Sequence, residues 1–216
     1  MNRVTKLCFY SAISVVVLGL FAGCGTSPKP RLFLFTPEAA WRGKTIRDAV
    51  NSEFTVRVLP VRLSPYLDRP QIVTRVDENE IKADQFNRWG MPLDRLVREV
   101  IAAGIVERIP SAYVDLALNR AMGKTDYLVQ IEVMRLDGPL AGPVNLVAQA
   151  IVMRGDDREA EAVLRRVASY SIEGAGKSYD EYVSAVNTAL GELAGDVAKA
   201  IQADRESLSS AADKGE

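Results

Sequence analysis

Alternation of apolar and polar residues predicts several β-strands in this chain. Apolar residues alternate with polar ones along most of 54–58, 126–137 and 144–154, and Ile72, Thr74 and Val76 alternate with Val73 and Arg75, a period typical of strands with one buried face. A further strand is predicted at 164–172, after a charged turn at 155–161. Because the last three strands follow one another through short turns, they predict an antiparallel meander with a half-polar outer face.

The first half of the chain contains less regular strand patterns. The apolar run 31–35 predicts a first strand in the centre of a sheet, since strands buried on both faces are continuously apolar. After the turn at 77–79 the chain returns through 80–83, which predicts a hairpin with strand 72–76. The extended segment 61–63 continues the path of the second strand beyond Pro60.

The secondary structure of two segments is left open by the sequence. Residues 36–53 begin at Thr36-Pro37-Glu38 and predict a helical turn or loop. Within 111–125, residues 112–114 fit a short strand and 116–122 fit a helix, and both alternatives stay open.

Two helices are predicted from apolar residues spaced three and four apart. Pro92 opens the first, Pro110 ends it, and its apolar stripe consists of Leu93, Leu96, Val97, Val100, Ile101 and Ile105. Ser178 and Glu181 form a capping box before the second, whose stripe ends at Ile201 and is expected to pack on the sheet. Apolar periodicity stops at Asp204, which predicts a disordered tail at 204–216.

The N-terminus has the parts of a bacterial lipoprotein signal peptide. A basic start with Arg3 and Lys6 precedes the apolar run 7–21, and the small residues Ala22 and Gly23 precede Cys24. We predict a signal peptide at 1–23, acylation of Cys24 by chains such as palmitate, and a lipidated linker at 24–30. The alternatives are a retained transmembrane helix and an ordinary secretory signal with an incidental cysteine.

Composition excludes several classes of chemistry. The chain has no histidine and two cysteines, Cys8 and Cys24, so neither a His-dependent nucleophile nor a zinc site with His or Cys ligands is expected. The balance of 27 basic and 28 acidic residues does not indicate nucleic-acid binding. Asp77, Glu78 and Glu80 fit a solvated turn. We therefore expect no catalytic residue, cofactor or metal, and no enzymatic activity.

Two sequence segments resemble a known family. The segments LPVRLSPYLDRPQIVTR at 59–75 and FNRWGMPL at 86–93 are similar to the ABC-type transport auxiliary lipoproteins, the family that contains PqiC (YmbA). The resemblance extends over 31–202 and is strongest at 59–97. It implies one domain at 31–203 with a two-layer α/β sandwich, in which helices pack mainly on one face of a mixed, mostly antiparallel sheet.

The resemblance also implies a role without covalent chemistry. Relatives serve MCE-type lipid transport systems, so the expected partners are an MCE-domain tunnel protein and its membrane permease components. Some relatives form ring-like homo-oligomers, and the resemblance leaves a ring-like homo-oligomer open for this chain. Because Gly25 follows Cys24 in place of Asp, we expect lipid anchoring at the periplasmic face of the outer membrane. The alternative is an assembly or regulatory lipoprotein that binds an envelope complex without handling lipid. A lipid hydrolase is disfavoured by the missing histidine.

A candidate partner-binding site lies within the resembling segments. Pro65 and Pro70 restrict the loop between them, which lowers the entropy that the loop loses on binding, and Tyr and Arg are enriched at binding hot spots. The predicted contact residues are Tyr66, Leu67, Arg69, Arg75 and Trp89. The alternative is that the loop only turns a corner, with Arg69 or Arg75 attached to Trp89 by a cation–π contact or hydrogen bond.

Overall fold

A computed structural model describes residues 28–35, 52–116, 125–155, 160–174 and 176–213. The predicted signal peptide, Cys24, the segment 36–51 and most of the possible helix at 116–122 lie outside the described residues.

The described chain contains nine strands and two helices. In order they are β1 (Arg31–Phe33), β2 (Phe54–Val58), β3 (Arg62–Leu63), β4 (Gln71–Arg75), β5 (Ile81–Trp89), α1 (Leu93–Arg108), β6 (Ala112–Asp115), β7 (Tyr127–Asp137), β8 (Val144–Arg154), β9 (Glu161–Ile172) and α2 (Tyr179–Ala212). The hairpin of β4 and β5 and both helix starts are confirmed, and 112–114 is a strand.

The strands form two sheets. The larger has the order β6-β2-β7-β8-β9 with β3 also beside β7, and the smaller has the order β1-β5-β4. The long pairings β7 with β8 and β8 with β9 are antiparallel, which confirms the meander, whereas the short pairings of β1, β2, β3 and β6 are parallel. The sheets are therefore mixed, as the resemblance implies, but the strands divide between two of them.

Both helices cover the same face of the larger sheet. The alternate residues of β7 and β8 that point toward them are fully buried, including Val129, Ile131 and Val152. The helices also pack closely on each other, because a Cβ on Gly104 of α1 would lie only 2.5 Å from Cβ of Ala194 in α2. Tyr182 of α2 donates a 2.8 Å hydrogen bond to the Val73 carbonyl, which joins the helix to the smaller sheet.

The prediction of a central first strand is wrong. Among the described strands β1 pairs with β5 alone, at the end of the smaller sheet. Phe33 in β1 and Phe35 just after it are buried, whereas Leu32 and Leu34 are exposed. The continuous apolar run therefore combines one core face with one exposed apolar face, and burial on both faces is not its cause.

The prediction of a disordered tail from Asp204 is also wrong as far as the described residues extend. Helix α2 continues to Ala212, and its turn at Asp204 and Arg205 contacts the larger sheet. Tyr127 Oη donates to Asp204 Oδ2 at 2.7 Å, and the Arg205 guanidinium lies 3.9 Å from the ring centroid of Phe54. At the same end of the larger sheet, β9 begins at Glu161 and not at the predicted Leu164, and its ladder with β8 extends to the pair Arg154–Glu161.

Candidate partner-binding site

The loop 64–70 connects β3 to β4 and is closed by its own backbone. The Leu67 amide donates to the Ser64 carbonyl at 2.9 Å, and the Arg69 amide donates to the Leu67 carbonyl at 2.8 Å. The Leu67 side chain is buried in the hydrophobic core, so it holds the loop against the body of the protein. A loop with this internal bonding presents one surface to a partner.

Tyr66 and Arg75, at the two ends of this region, converge on Asp137 at the end of β7. Arg75 donates through Nε to Oδ1 at 2.7 Å and through Nη2 to Oδ2 at 2.8 Å. Tyr66 Oη donates to Oδ2 at 2.7 Å, and Arg135 Nε donates to Oδ1 at 2.9 Å. The Asp137 side chain is 0% exposed, and each of its oxygens accepts two hydrogen bonds. We call these four residues the Asp137 cluster.

The ionisation of the cluster follows from these contacts. Burial opposes the charge on Asp137, but hydrogen bonds from Arg75, Tyr66 and Arg135 outweigh it and hold its pKa below the ordinary value of 3.8. Burial, followed by the hydrogen bond to the Asp137 carboxylate, raises the pKa of Tyr66 to about 12. The cluster is therefore a carboxylate held by guanidinium groups and a neutral phenol across the neutral pH range.

Trp89 holds the other end of the loop. Its amide donates to the Pro70 carbonyl at 2.8 Å, and its buried ring packs on Phe35 with the ring centroids 5.3 Å apart. Between the loop and the start of α1 lies a cavity of about 300 Å³, lined by residues 68–70, Trp89 and residues 91–93. Arg69 stands exposed beside it and makes no hydrogen bond or ion pair through its side chain with any described residue.

The five predicted contact residues fall into three groups in the structure: core residues, residues bound to Asp137, and one exposed residue. Leu67 and Trp89 are core residues that fix the loop, and Tyr66 and Arg75 are committed to Asp137. Arg69 and the cavity edge are accessible. The alternative of an arginine stacked on Trp89 is wrong for the described part of the chain, whose cation–π contacts are Arg31 on Phe33 and Arg205 on Phe54.

Asp137 is not among the residues predicted from the sequence. Its single local signal is its position at the end of the alternating strand, immediately before Gly138-Pro139. Across the described residues, no group of three or more acidic side chains is arranged to hold a metal ion. No helix among those residues is both long enough and apolar enough to cross a membrane.

Comparisons with known proteins agree with this fold. A family model described as "ABC-type transport auxiliary lipoprotein component" matches residues 38–198. A crystal structure of an uncharacterized protein is 17% identical with a TM-score of 0.61, and the match covers 69% of this chain and 93% of that one. A Xanthomonas campestris protein is 19% identical with a TM-score of 0.58, with 84% and 99% covered. No curated protein sequence matches significantly. Because the family match spans most of its length, the chain belongs to the family of ABC-type transport auxiliary lipoprotein components.

Proposed function

We propose that this protein is a non-catalytic accessory subunit of an MCE-type lipid transport system, anchored through acylated Cys24 at the periplasmic face of the outer membrane. In this role it docks an MCE-domain tunnel protein, and through it the permease components, and so supports phospholipid movement between membranes and envelope integrity. Membership of the auxiliary lipoprotein family supports the proposal.

The geometry of loop 64–70 is the observation that carries the docking role. The Asp137 cluster fixes one end and the bond from Trp89 to Pro70 fixes the other, so little loop entropy is lost when a partner binds. Arg69 projects from this fixed loop beside the cavity. Arginine is among the residue types that dominate binding energy when they fill a partner pocket.

A second candidate is an assembly or regulatory lipoprotein that binds an envelope complex without handling lipid. The cavity size favours it, since about 300 Å³ lies at the lower end of the range for small-molecule sites and leaves little room for a diacyl lipid. A phospholipid transfer assay with the cognate MCE protein separates the two functions. Stimulated transfer supports the first candidate, and binding with unchanged transfer supports the second.

Replacement of Arg69 tests the docking role. Arg69→Ala is expected to weaken binding of the cognate MCE protein by about 30-fold, the equivalent of a 2 kcal/mol hot-spot loss. Arg165→Ala is the matched control, because Arg165 is an exposed arginine on β9, away from the loop. Both variants should keep the wild-type free energy of unfolding within about 0.5 kcal/mol. Equal affinities of Arg69→Ala and wild type would contradict the docking role.

A further inference from the structure

The outward face of β1 exposes large apolar side chains. Leu32 is 66% exposed and Leu34 is 54% exposed, while the residues between and after them, Phe33 and Phe35, are buried. A further large apolar residue, Phe86 on the neighbouring strand β5, is 40% exposed. Single exposed apolar residues are common on protein surfaces, but Leu32 in β1, Leu34 just after it and Phe86 on the neighbouring β5 expose three large apolar side chains at one edge of the smaller sheet, as interaction sites do.

The exposed Phe86 lies in a bulge of the β5 backbone. The pairing of β4 with β5 shifts between Gln71–Arg88 and Val73–Ala83, so β5 carries extra residues in a bulge. Asp84 Oδ1 fixes this bulge by accepting hydrogen bonds from the Phe86 amide at 2.9 Å and the Asn87 amide at 2.7 Å. Asn87 pairs with Arg31, which places the bulge beside the start of β1.

Two cationic residues accompany the apolar patch. Arg88 pairs with Leu32 across the two strands, and its Nε donates to the Gln85 carbonyl. Lys29 is exposed immediately before β1. Neither side chain forms an ion pair with a carboxylate among the described residues, so both are available to anionic groups. Apolar residues flanked by lysine and arginine are the composition that binds the surface of anionic phospholipid bilayers.

Acylation of Cys24, as in the proposed function, would hold this patch near a membrane. Leu32 follows Cys24 by so few residues that a fully extended chain spans at most roughly 28 Å between them. On the basis of the lipid anchor in the proposed function, we infer that Leu32, Leu34 and Phe86 form a resting face that seats on the phospholipid bilayer. The lipid then holds the domain at the membrane, and the resting face sets its orientation there.

Site-specific probes test the resting face in the full acylated protein. Leu32→Cys, Leu34→Cys and the control Val167→Cys, at an apolar residue of β9 that is also 54% exposed, are labelled with an environment-sensitive fluorophore. If Cys24 is acylated, the introduced cysteine is the one free thiol of the processed chain. The proteins are reconstituted into vesicles of phosphatidylethanolamine and phosphatidylglycerol with and without nitroxide-labelled lipid. Thermal unfolding confirms that the labelled variants are folded.

If the resting face lies about 5–10 Å deep in the bilayer surface, probes at positions 32 and 34 should show blue-shifted emission. Nitroxide-labelled lipid should reduce their fluorescence intensity at least roughly twofold. The probe at position 167 should show neither change. Vesicle-bound protein with unquenched probes at 32 and 34 would overturn the resting face and leave the lipid anchor intact. A blue shift without quenching would mean that protein covers the patch, which also overturns it. Protein that does not float with the vesicles would overturn the anchor and the resting face together.

Discussion

Replacement of Asp137 by asparagine removes the charge on which Tyr66, Arg75 and Arg135 converge. The new side chain keeps the shape of the old one, but its amide group points a donor at N–H and O–H donors and leaves the Arg75 guanidinium without a counter-charge. Breaking a buried pair by removing one partner costs about 3–5 kcal/mol. Because both arginines are partly exposed, we expect the lower end, about 3 kcal/mol.

Urea unfolding followed by circular dichroism measures this loss, and the melting temperature should fall by roughly 6–12 °C for a chain of this size. Glu132→Gln is the matched control, since Glu132 lies on the same strand and binds Arg62 at 2.9 Å on the surface. An exposed pair of this kind contributes less than about 1 kcal/mol. If Asp137→Asn loses no more stability than Glu132→Gln, the cluster does not hold the loop as described.

The pH dependence gives an independent check on the same variant. The folded pKa of Asp137 lies below the ordinary value of 3.8, so its contribution to stability is complete above that pH and is lost as pH falls through the folded pKa. The stability difference between wild type and Asp137→Asn should therefore be constant near neutrality and shrink below about pH 4. A difference that does not change down to pH 2 would mean that the charge on Asp137 is not the source of the stability.

Three further predictions concern single sites. Ser178→Ala removes the cap that accepts the Glu181 amide and should lower stability by about 1 kcal/mol in urea unfolding. Gly138→Ala places a Cβ against the Pro143 carbonyl and should cost about 2 kcal/mol by the same measurement. Cys24→Ser should abolish incorporation of labelled palmitate, and equal labelling of both proteins would refute acylation at that residue.

Elements with a strong local pattern could be predicted from the sequence. The alternation along β7 and β8 and the capping box of α2 are determined by residues within a few positions of one another. The helical turn at Asp204 has no such local pattern. Its contacts are hydrogen bonds from Tyr127 and Arg154, which lie far away along the chain.

The candidate site shows the same division. Tyr66 and Arg75 are both among the contact residues predicted from one short segment, but the sequence does not indicate that they bind the same carboxylate. Asp137 is 62 residues beyond Arg75 along the chain and meets it because the last residue of β4 lies beside the end of β7, where the Arg75 amide donates to the Gly138 carbonyl. No local period or spacing indicates such a contact.

From the sequence, a loop held against the body of the protein and a loop that contacts a partner are two alternatives. In the structure, the residues that hold the loop are different from the one that stands exposed on it. Tyr66 and Arg75 hold the loop through Asp137, and Trp89 holds it through Pro70, so Arg69 is left on a fixed support. Substitutions at different residues of the loop should therefore affect stability and partner binding differently. Changes at Tyr66 or Arg75 alter the support and then the binding, whereas a change at Arg69 alters the binding alone.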